Sequence, residues 1–372
     1  MRNLLTLVYT LLVVSLLLAC AGADRPKPAP LAPNVPLMEV RQVWSKRMGA
    51  VDFPLEVRVV AGQAYLASKA GEVLALNAQT GAEVWRTQLD TALSAGVGSD
   101  GRYVAVVTRT NELIVLEAGK VLWQQKLKAL TLSAPLVAGE RVFTLSSDRT
   151  VNAFDAASGQ RLWTQQRPGD ALVLGQAGLM TAVGDTLVVG FSGRVTGFNP
   201  QNGTSRWDTA VVSPRGTNEV ERLVDVVAGF SRDGSQLCVR AFQYAVACLD
   251  GNTGRMTWSK TANGATGLGG DAGLVIGSEA DGHLIAWSRK DGEKRWSVDR
   301  YRFRHLSAPL VAGHTMIVGD DSGNLHFLNK EDGTPLNRVL TDDSGIAVTP
   351  VLSGKTLIVV SRSGGIYAYL PE

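Results

Sequence analysis

The sequence predicts an all-β protein, an eight-bladed β-propeller closed by pairing of its N-terminal strand with its C-terminal blade. Three observations support this fold class. One short strand pattern recurs eight times, a second pattern that ends in tryptophan follows most of the copies, and a lone tryptophan precedes the first copy. Composition agrees, because 40 glycines among 372 residues suit a chain with many tight turns better than a helical one.

The first pattern is a short alternating strand opened by a turn residue, which is typical of the second half of a β-hairpin. Its copies recur at intervals of 38 to 51 residues, near the period of about 40 to 50 residues that marks propeller blades. The copies begin at Gly71, Asn111, Arg149, Gly193, Tyr244, Gly282, Gly323 and Gly364.

The second pattern reads Asp/Asn-x-x-x-Gly-x-x-x-Trp. An Asp or Asn side chain can start a turn by bonding its own backbone, the glycine takes a positive φ, and the tryptophan packs at the start of the next strand. Because the acidic residue recurs from blade to blade, we interpret it as a turn cap rather than a catalytic base. The clearest copies, the last of which starts with serine, are Asn77 to Trp85, Asp155 to Trp163, Asn199 to Trp207, Asp250 to Trp258 and Ser288 to Trp296.

Closure of the ring is predicted from Trp44, which has no turn before it. The strand from Val40 to Trp44 is expected to complete the blade whose other strands end at Leu370. Such closure removes the exposed edges that an open array of sheets would present. The propeller is therefore predicted to span residues 39–372.

Residues 1–19 are predicted to be a lipoprotein signal peptide. Arg2 supplies a positive start, and an almost uninterrupted apolar run extends from Leu4 to Leu18, as in secretory signal peptides rather than membrane spans. The Leu-Leu-Ala-Cys sequence that ends at Cys20 resembles the lipobox of bacterial lipoproteins, which implies that Cys20 becomes the first mature residue and carries the lipid. An ordinary signal peptide followed by an incidental cysteine is the alternative.

Residues 20–38 are expected to form a lipidated N-terminus and a linker rich in proline and alanine. Such composition favours an extended, semi-rigid spacer, which would hold the propeller away from the bilayer. In the lipoprotein resemblance, Ala21 stands where an aspartate would retain the protein at the inner membrane, so the resemblance implies the outer membrane.

Cys238 and Cys248 are expected to form a cross-strand disulfide. A three-residue hairpin loop centred on Gln243 would place the two cysteines opposite each other, at a separation that permits a bridge. Tyr244 then occupies the place of the usual glycine, where a left-handed conformation is unfavourable. A two-residue loop would instead put the cysteines on opposite faces, so two free buried thiols remain the alternative.

The tryptophan pattern resembles the repeats of pyrroloquinoline-quinone-type propellers, and the mature chain as a whole resembles the BamB family of outer-membrane β-barrel assembly lipoproteins. The segment from Asn218 to Val226, which contains Arg222 and Asp225, is similar to a stretch of that family. It lies in the longest interval between repeats, where partner-binding loops tend to occur.

The resemblance implies two docking loops for a periplasmic POTRA domain. Leu172 and Leu174 match the leucines of a Leu-x-Leu-Arg motif, whose arginine is replaced by Gly175. Asp225 matches the first of two family aspartates, and Val227 replaces the second. The implied partner-binding residues are therefore Leu172, Leu174, Arg222 and Asp225, and the alternative for the leucines is a position in the core.

The function implied by the resemblance is a non-catalytic scaffold, with no cofactor and no catalytic or metal-binding residue. It would be anchored by lipid to the outer membrane and face the periplasm. It would bind POTRA domains of the barrel-forming subunit and, in one version, nascent outer-membrane proteins. A net charge of +3 gives no case for nucleic acid, which requires a clustered basic surface.

Two alternatives come from other functional classes. Quinoprotein dehydrogenases share the tryptophan pattern but use an adjacent cysteine pair and calcium. This chain has no adjacent cysteines, and its four histidines lack metal-ligand spacing. A propeller that binds a small ligand or peptidoglycan fragment in its central channel is the second alternative, with Arg240, Arg302 and Arg304 as candidate charges.

Overall fold

The computed structural model describes residues 26–168, 173–213 and 223–371, whose regular elements are all β-strands. These strands form eight antiparallel sheets of four strands each, so the predicted eight-bladed, all-β propeller is confirmed. No helix in the described part of the chain is long and apolar enough to cross a membrane.

The chain begins with β1 (Val40–Arg47), which belongs to the last blade. Blade 1 contains β2 (Arg58–Val60), β3 (Gln63–Ala67), β4 (Glu72–Asn77) and β5 (Glu83–Gln88). Blade 2 contains β6 (Leu93–Ser99), β7 (Tyr103–Thr108), β8 (Glu112–Glu117) and β9 (Lys120–Lys126). Blade 3 contains β10 (Leu136–Ala138), β11 (Arg141–Leu145), β12 (Thr150–Asp155) and β13 (Arg161–Gln166). Blade 4 contains β14 (Met180–Val183), β15 (Thr186–Phe191), β16 (Arg194–Phe198) and β17 (Ser205–Ala210).

Blade 5 contains β18 (Ser231–Asp233), β19 (Gln236–Ala241), β20 (Ala245–Asp250) and β21 (Met256–Thr261). Blade 6 contains β22 (Leu268–Gly270), β23 (Leu274–Ser278), β24 (Leu284–Ser288) and β25 (Lys294–Val298). Blade 7 contains β26 (Leu310–Ala312), β27 (Thr315–Gly319), β28 (Asn324–Asn329) and β29 (Pro335–Leu340). Blade 8 contains β30 (Val351–Ser353), β31 (Thr356–Val360) and β32 (Gly365–Pro371), and β1 completes it.

Pairing of β1 with β32 closes the ring, as the sequence predicts. The two strands are antiparallel, from Val40 opposite Pro371 to Arg47 opposite Gly365, with an irregularity between Gln42 and Trp44. The first strands of several neighbouring blades contact each other, including β2 with β30 across the closure. These strands therefore surround the central channel, and the fourth strand of each blade lies at the rim.

Tryptophans join one blade to the next. At seven joints the indole packs against the turn glycine of the following blade so closely that a Cβ on the glycine would meet the ring. At Gly203, for example, that Cβ would lie 2.6 Å from Trp163 Cε3, and the indole Nε1 of Trp163 donates to the Pro200 carbonyl at 2.9 Å. The pairs are Trp44 with Gly81, Trp85 with Gly119, Trp123 with Gly159, Trp163 with Gly203, Trp207 with Gly254, Trp258 with Gly292 and Trp296 with Gly333.

The eighth joint, between blades 7 and 8, uses the N-terminal segment instead. Asn337 stands where the repeat would place a tryptophan, and its side-chain nitrogen donates to the Met38 carbonyl at 2.9 Å. The backbone N–H of Leu37 donates to the Leu336 carbonyl at 2.7 Å, and Met38 packs against the core shared by blades 7 and 8. Residues 29–38, part of the segment predicted to be an extended, semi-rigid spacer, thus contact blade 7 and the connector before it.

One face of the disc carries the loop between the second and third strands of every blade together with the connector to the next blade. This follows from topology, because successive antiparallel strands end on alternate faces of the disc. The second and fourth strands of a blade therefore end on the same face. We call this the connector face.

Candidate functional site

Two connectors lie side by side on the connector face. Residues 173–178 lead from blade 3 to blade 4, and residues 223–228 lead from blade 4 to blade 5; we call them the paired connectors. An isolated antiparallel bridge joins Gly178 to Val227, and another joins Val226 to Ala241 of blade 5. The Leu179 N–H donates to the Val226 carbonyl at 3.1 Å. Residues 223–228 therefore lie between the first connector and the β19–β20 hairpin.

Asp225 ties these loops together through its side chain. Its Oδ2 accepts the backbone N–H of Leu174 at 3.2 Å, and its Oδ1 accepts that of Ser192 at 2.6 Å. Its own carbonyl accepts the Phe242 N–H at 2.9 Å. These contacts hold three loops together: the first connector, the β15–β16 loop and the β19–β20 loop. Hydrogen bonds to an ionised group contribute about 1.5–3 kcal/mol each.

A small cavity of about 50 Å³ lies next to these contacts. Leu174 and Asp225 both line it, and the half-buried Leu174 is not part of the fully buried core. The cavity is also bordered by Gln176, an exposed residue, so it lies at the surface of the connector face.

Arg149 lines the same cavity from blade 3. It is the last residue of the β11–β12 hairpin loop, has φ 63°, and donates its backbone N–H to the Ser146 carbonyl at 2.9 Å. The side chain is 9% exposed, and its Nε and Nη1 have no hydrogen-bond partner. The sequence pattern identifies this position only as a turn. Five of the eight repeats have glycine there, so the arginine is a departure from the repeat that could have indicated a binding residue.

Of the residues implied to bind a partner, the structure brings Leu174 and Asp225 into direct contact. Leu172 and Arg222 lie outside the described residues, as does Cys20. Gly175 is exposed, and a Cβ there would meet no atom within 4 Å. Val227, by contrast, is 3% exposed and packs in the interior of the connector pair, so it is a core residue here.

Cys238 and Cys248 form a disulfide in the structure. They lie directly opposite each other on β19 and β20, and a three-residue loop joins Ala241 to Ala245. The positive φ falls on Gln243, at 52°, and not on Tyr244, which avoids the conformation that is unfavourable for a tyrosine. Both cysteines are fully buried, and the bridge stiffens the hairpin that receives Val226 and Val227.

The central opening of the connector face holds a larger cavity of about 900 Å³. Burial raises the pKa of its Glu56 carboxyl, and the charge of Arg58 opposes that rise. None of the three arginines considered for the channel lines this cavity. Arg240 is fully buried and pairs with Glu279 at 2.9 Å, Arg304 pairs with Asp320 at 3.1 Å, and Arg302 lies over the Phe303 ring.

The residues do not fit the quinone and calcium of the dehydrogenases that share this fold. The chain has no adjacent cysteine pair, and Cys238 and Cys248 do not line the channel cavity. Within the described ranges, no group of three or more His, Cys, Asp and Glu side chains is arranged to hold a metal ion.

Comparisons with known proteins agree with this architecture. A family model described as outer membrane protein assembly factor BamB matches residues 69–298. The protein of that name from Burkholderia pseudomallei is 36% identical over 360 residues, covering 95% of this chain and 94% of its own. The crystal structure of BamB from Moraxella catarrhalis superposes with a TM-score of 0.81 at 25% identity, covering 89% of this chain and 100% of its own.

A quinohemoprotein alcohol dehydrogenase from Comamonas testosteroni also superposes, with a TM-score of 0.68. It is only 15% identical, and the match covers 89% of this chain and 76% of the dehydrogenase. At that identity the likeness extends to the fold alone, because one fold can carry unrelated functions.

Proposed function

Since the chain belongs to the BamB family of outer membrane protein assembly factors, we propose that it is a non-catalytic scaffold whose paired connectors dock on a POTRA domain of the barrel-forming subunit. The observation that carries this proposal is the arrangement around Asp225. One carboxylate binds the backbone of Leu174 and Ser192 and so presents a half-buried leucine at the surface.

Such a surface suits a small hydrophobic contact. A docking leucine contributes most when it is held in place before binding, because less conformational entropy is then lost on association. Leu174 meets this condition through its backbone bond to Asp225. Leu172 is proposed to accompany it as the other leucine of the motif.

The anchor is proposed to be a lipid on Cys20 that attaches the protein to the periplasmic side of the outer membrane. The path of the N-terminal segment supports an orientation for this anchor. Arg304 lies in the connector between blades 6 and 7. Its Nε and Nη2 donate hydrogen bonds to the Ala29 carbonyl, at 2.9 and 2.7 Å. The chain therefore approaches the propeller at the connector face, the same face as the paired connectors.

Non-catalytic action is supported by the poor fit to quinoprotein chemistry. The test is to incubate the purified protein with pyrroloquinoline quinone and calcium and to record the absorbance spectrum after gel filtration. We expect no bound chromophore, whereas stoichiometric quinone that stays with the protein would reinstate the enzyme alternative.

Docking is tested with a Leu172→Ala/Leu174→Ala double variant, expressed as the full lipidated chain. Co-purification of the barrel-forming subunit from envelope membranes is expected to fall strongly. The matched control is Leu122→Ala/Leu162→Ala, which removes two leucines that are 42% exposed on the rim strands of blades 2 and 3 and should leave association intact. Undiminished association of a folded Leu172→Ala/Leu174→Ala variant would remove these residues from the interface.

A further inference from the structure

The guanidinium of Arg149 is a buried cation at the edge of the paired connectors. Its side chain is 9% exposed, its Nε and Nη1 have no hydrogen-bond partner, and no carboxylate in the described part of the chain pairs with it. Burying a charge in this way is costly unless it is paired. An arginine whose burial is not offset by an ion pair is a candidate for an ion pair with a binding partner.

The surroundings of Arg149 show where that contact would form. It lines the 50 Å³ cavity together with Leu174 and Asp225. Asp225 forms no ion pair or hydrogen bond with Arg149 in the described part of the chain, and its two oxygens accept the backbone N–H groups of Leu174 and Ser192. Since one water occupies about 30 Å³ of liquid, the cavity has room for a group the size of a carboxylate.

We propose that Arg149 is the ionic anchor of the docking surface and that it receives a carboxylate of an Asp or Glu side chain of the partner protein. This proposal rests on the docking function proposed for the paired connectors and deepens it. The leucine supplies apolar contact next to the cavity, and the arginine supplies a desolvated charge within it. Charge-assisted hydrogen bonds from arginine to a carboxylate are among the stronger polar contacts.

The first test compares affinities of the purified full-length chain, in detergent, for the barrel-forming subunit. Arg149→Met keeps a long apolar stem without the charge, and Arg149→Lys keeps the charge without the planar group. Loss of one member of a desolvated charge pair at an interface is expected to weaken binding by about 30-fold or more. We expect that loss for Arg149→Met, together with a weaker dependence of Kd on salt, and a smaller loss for Arg149→Lys.

A second readout separates docking from a structural role. Because Arg149→Met removes an unpaired buried cation, its urea midpoint should equal or exceed that of the parent chain. A lowered midpoint with unchanged affinity would overturn the proposal and show that the guanidinium serves the fold. Arg302→Met is the matched control, since Arg302 is an exposed arginine on the connector face near blade 7, and its affinity should match the parent's.

The partner residue is identified with the Arg149→Lys variant. A water-soluble carbodiimide should couple the introduced amine to the partner carboxylate, and mass spectrometry should find one cross-linked peptide from the partner. Coupling only to a carboxylate of the same chain, such as Asp148 or Asp225, would overturn the proposal. If the parent chain itself does not bind the barrel-forming subunit, both this inference and the proposed docking function fail; if it binds and Arg149→Met binds equally well, only this inference fails.

Discussion

The tryptophan joints of the ring and the paired connectors differ in how often their contacts recur. Seven joints repeat one contact, an indole on a turn glycine, whereas the pair of hydrogen bonds that Asp225 accepts from the backbone of Leu174 and Ser192 occurs once. A contact that is repeated around a ring supports the ring. A contact made once, between loops that the repeat does not specify, distinguishes one sector of the disc from the others. The proposed docking function therefore lies away from the tryptophans, the most conspicuous residues of the sequence.

Removal of one tryptophan joint should have the largest effect on stability. Trp163→Ala should lower the free energy of unfolding by about 3–5 kcal/mol, as is typical of large-to-small changes at buried aromatic residues. It loses the packing on Gly203 and Phe143 and the bond to Pro200. Urea unfolding followed by tryptophan fluorescence and by circular dichroism measures this loss.

The neighbouring residue provides a matched control. Leu162 is 42% exposed on the same strand, and Leu162→Ala should change the free energy of unfolding by only about 0.5 kcal/mol. If Trp163→Ala were no more destabilising than Leu162→Ala, the joints would not be what supports the ring.

The disulfide should have the next largest effect. It closes a loop with a sequence separation of 10 residues, for which chain entropy predicts a loss of about 2–3 kcal/mol on reduction. Reduction of the parent chain by dithiothreitol should therefore lower its urea midpoint. The Cys238→Ala/Cys248→Ala variant should have a urea midpoint near that of the reduced parent chain, and dithiothreitol should not change it. If dithiothreitol also left the midpoint of the parent chain unchanged, the two thiols would be free in solution.

Asp225→Asn should loosen the paired connectors with a smaller effect on the ring. We expect a loss of about 1–3 kcal/mol, because the charge that strengthens two backbone hydrogen bonds is removed. The specific signature is faster hydrogen exchange at the amides of Leu174 and Ser192. Asp148→Asn is the control, since Asp148 accepts the backbone N–H of Thr150 within its own turn and its loss should leave those two amides unchanged.

Gly175→Arg should have the smallest effect on stability. The position is exposed, and a Cβ meets no atom within 4 Å, so the free energy of unfolding should change by no more than about 0.5 kcal/mol. The added charge next to Leu174 should strengthen docking a few-fold at low salt, since charges at the rim of an interface act mainly on the association rate. Gly175→Glu should weaken docking, and equal affinities for the two variants would place position 175 outside the interface.

The sequence by itself was sufficient for the all-β class, the eight blades and the closure by the strand that holds Trp44. These features come from local rules repeated along the chain, namely turn residues, alternating strands and a tryptophan at constant spacing. Each rule acts over a few residues, so the sequence alone is enough to recognise it. The opposed positions of Cys238 and Cys248 followed in the same way from the length of one hairpin loop.

Only the tertiary structure decided the rest. Arg149, Leu174 and Asp225 come from three different loops and meet because neighbouring blades place those loops on one face. Their proximity, the burial of Val227 and the absence of an ion pair at Arg149 within residues 26–168, 173–213 and 223–371 depend on packing between blades, which sequence spacing does not encode. The N-terminal segment shows the same limit, because its proline-rich composition predicts a spacer while its place at the eighth joint depends on Asn337, 299 residues away from Met38.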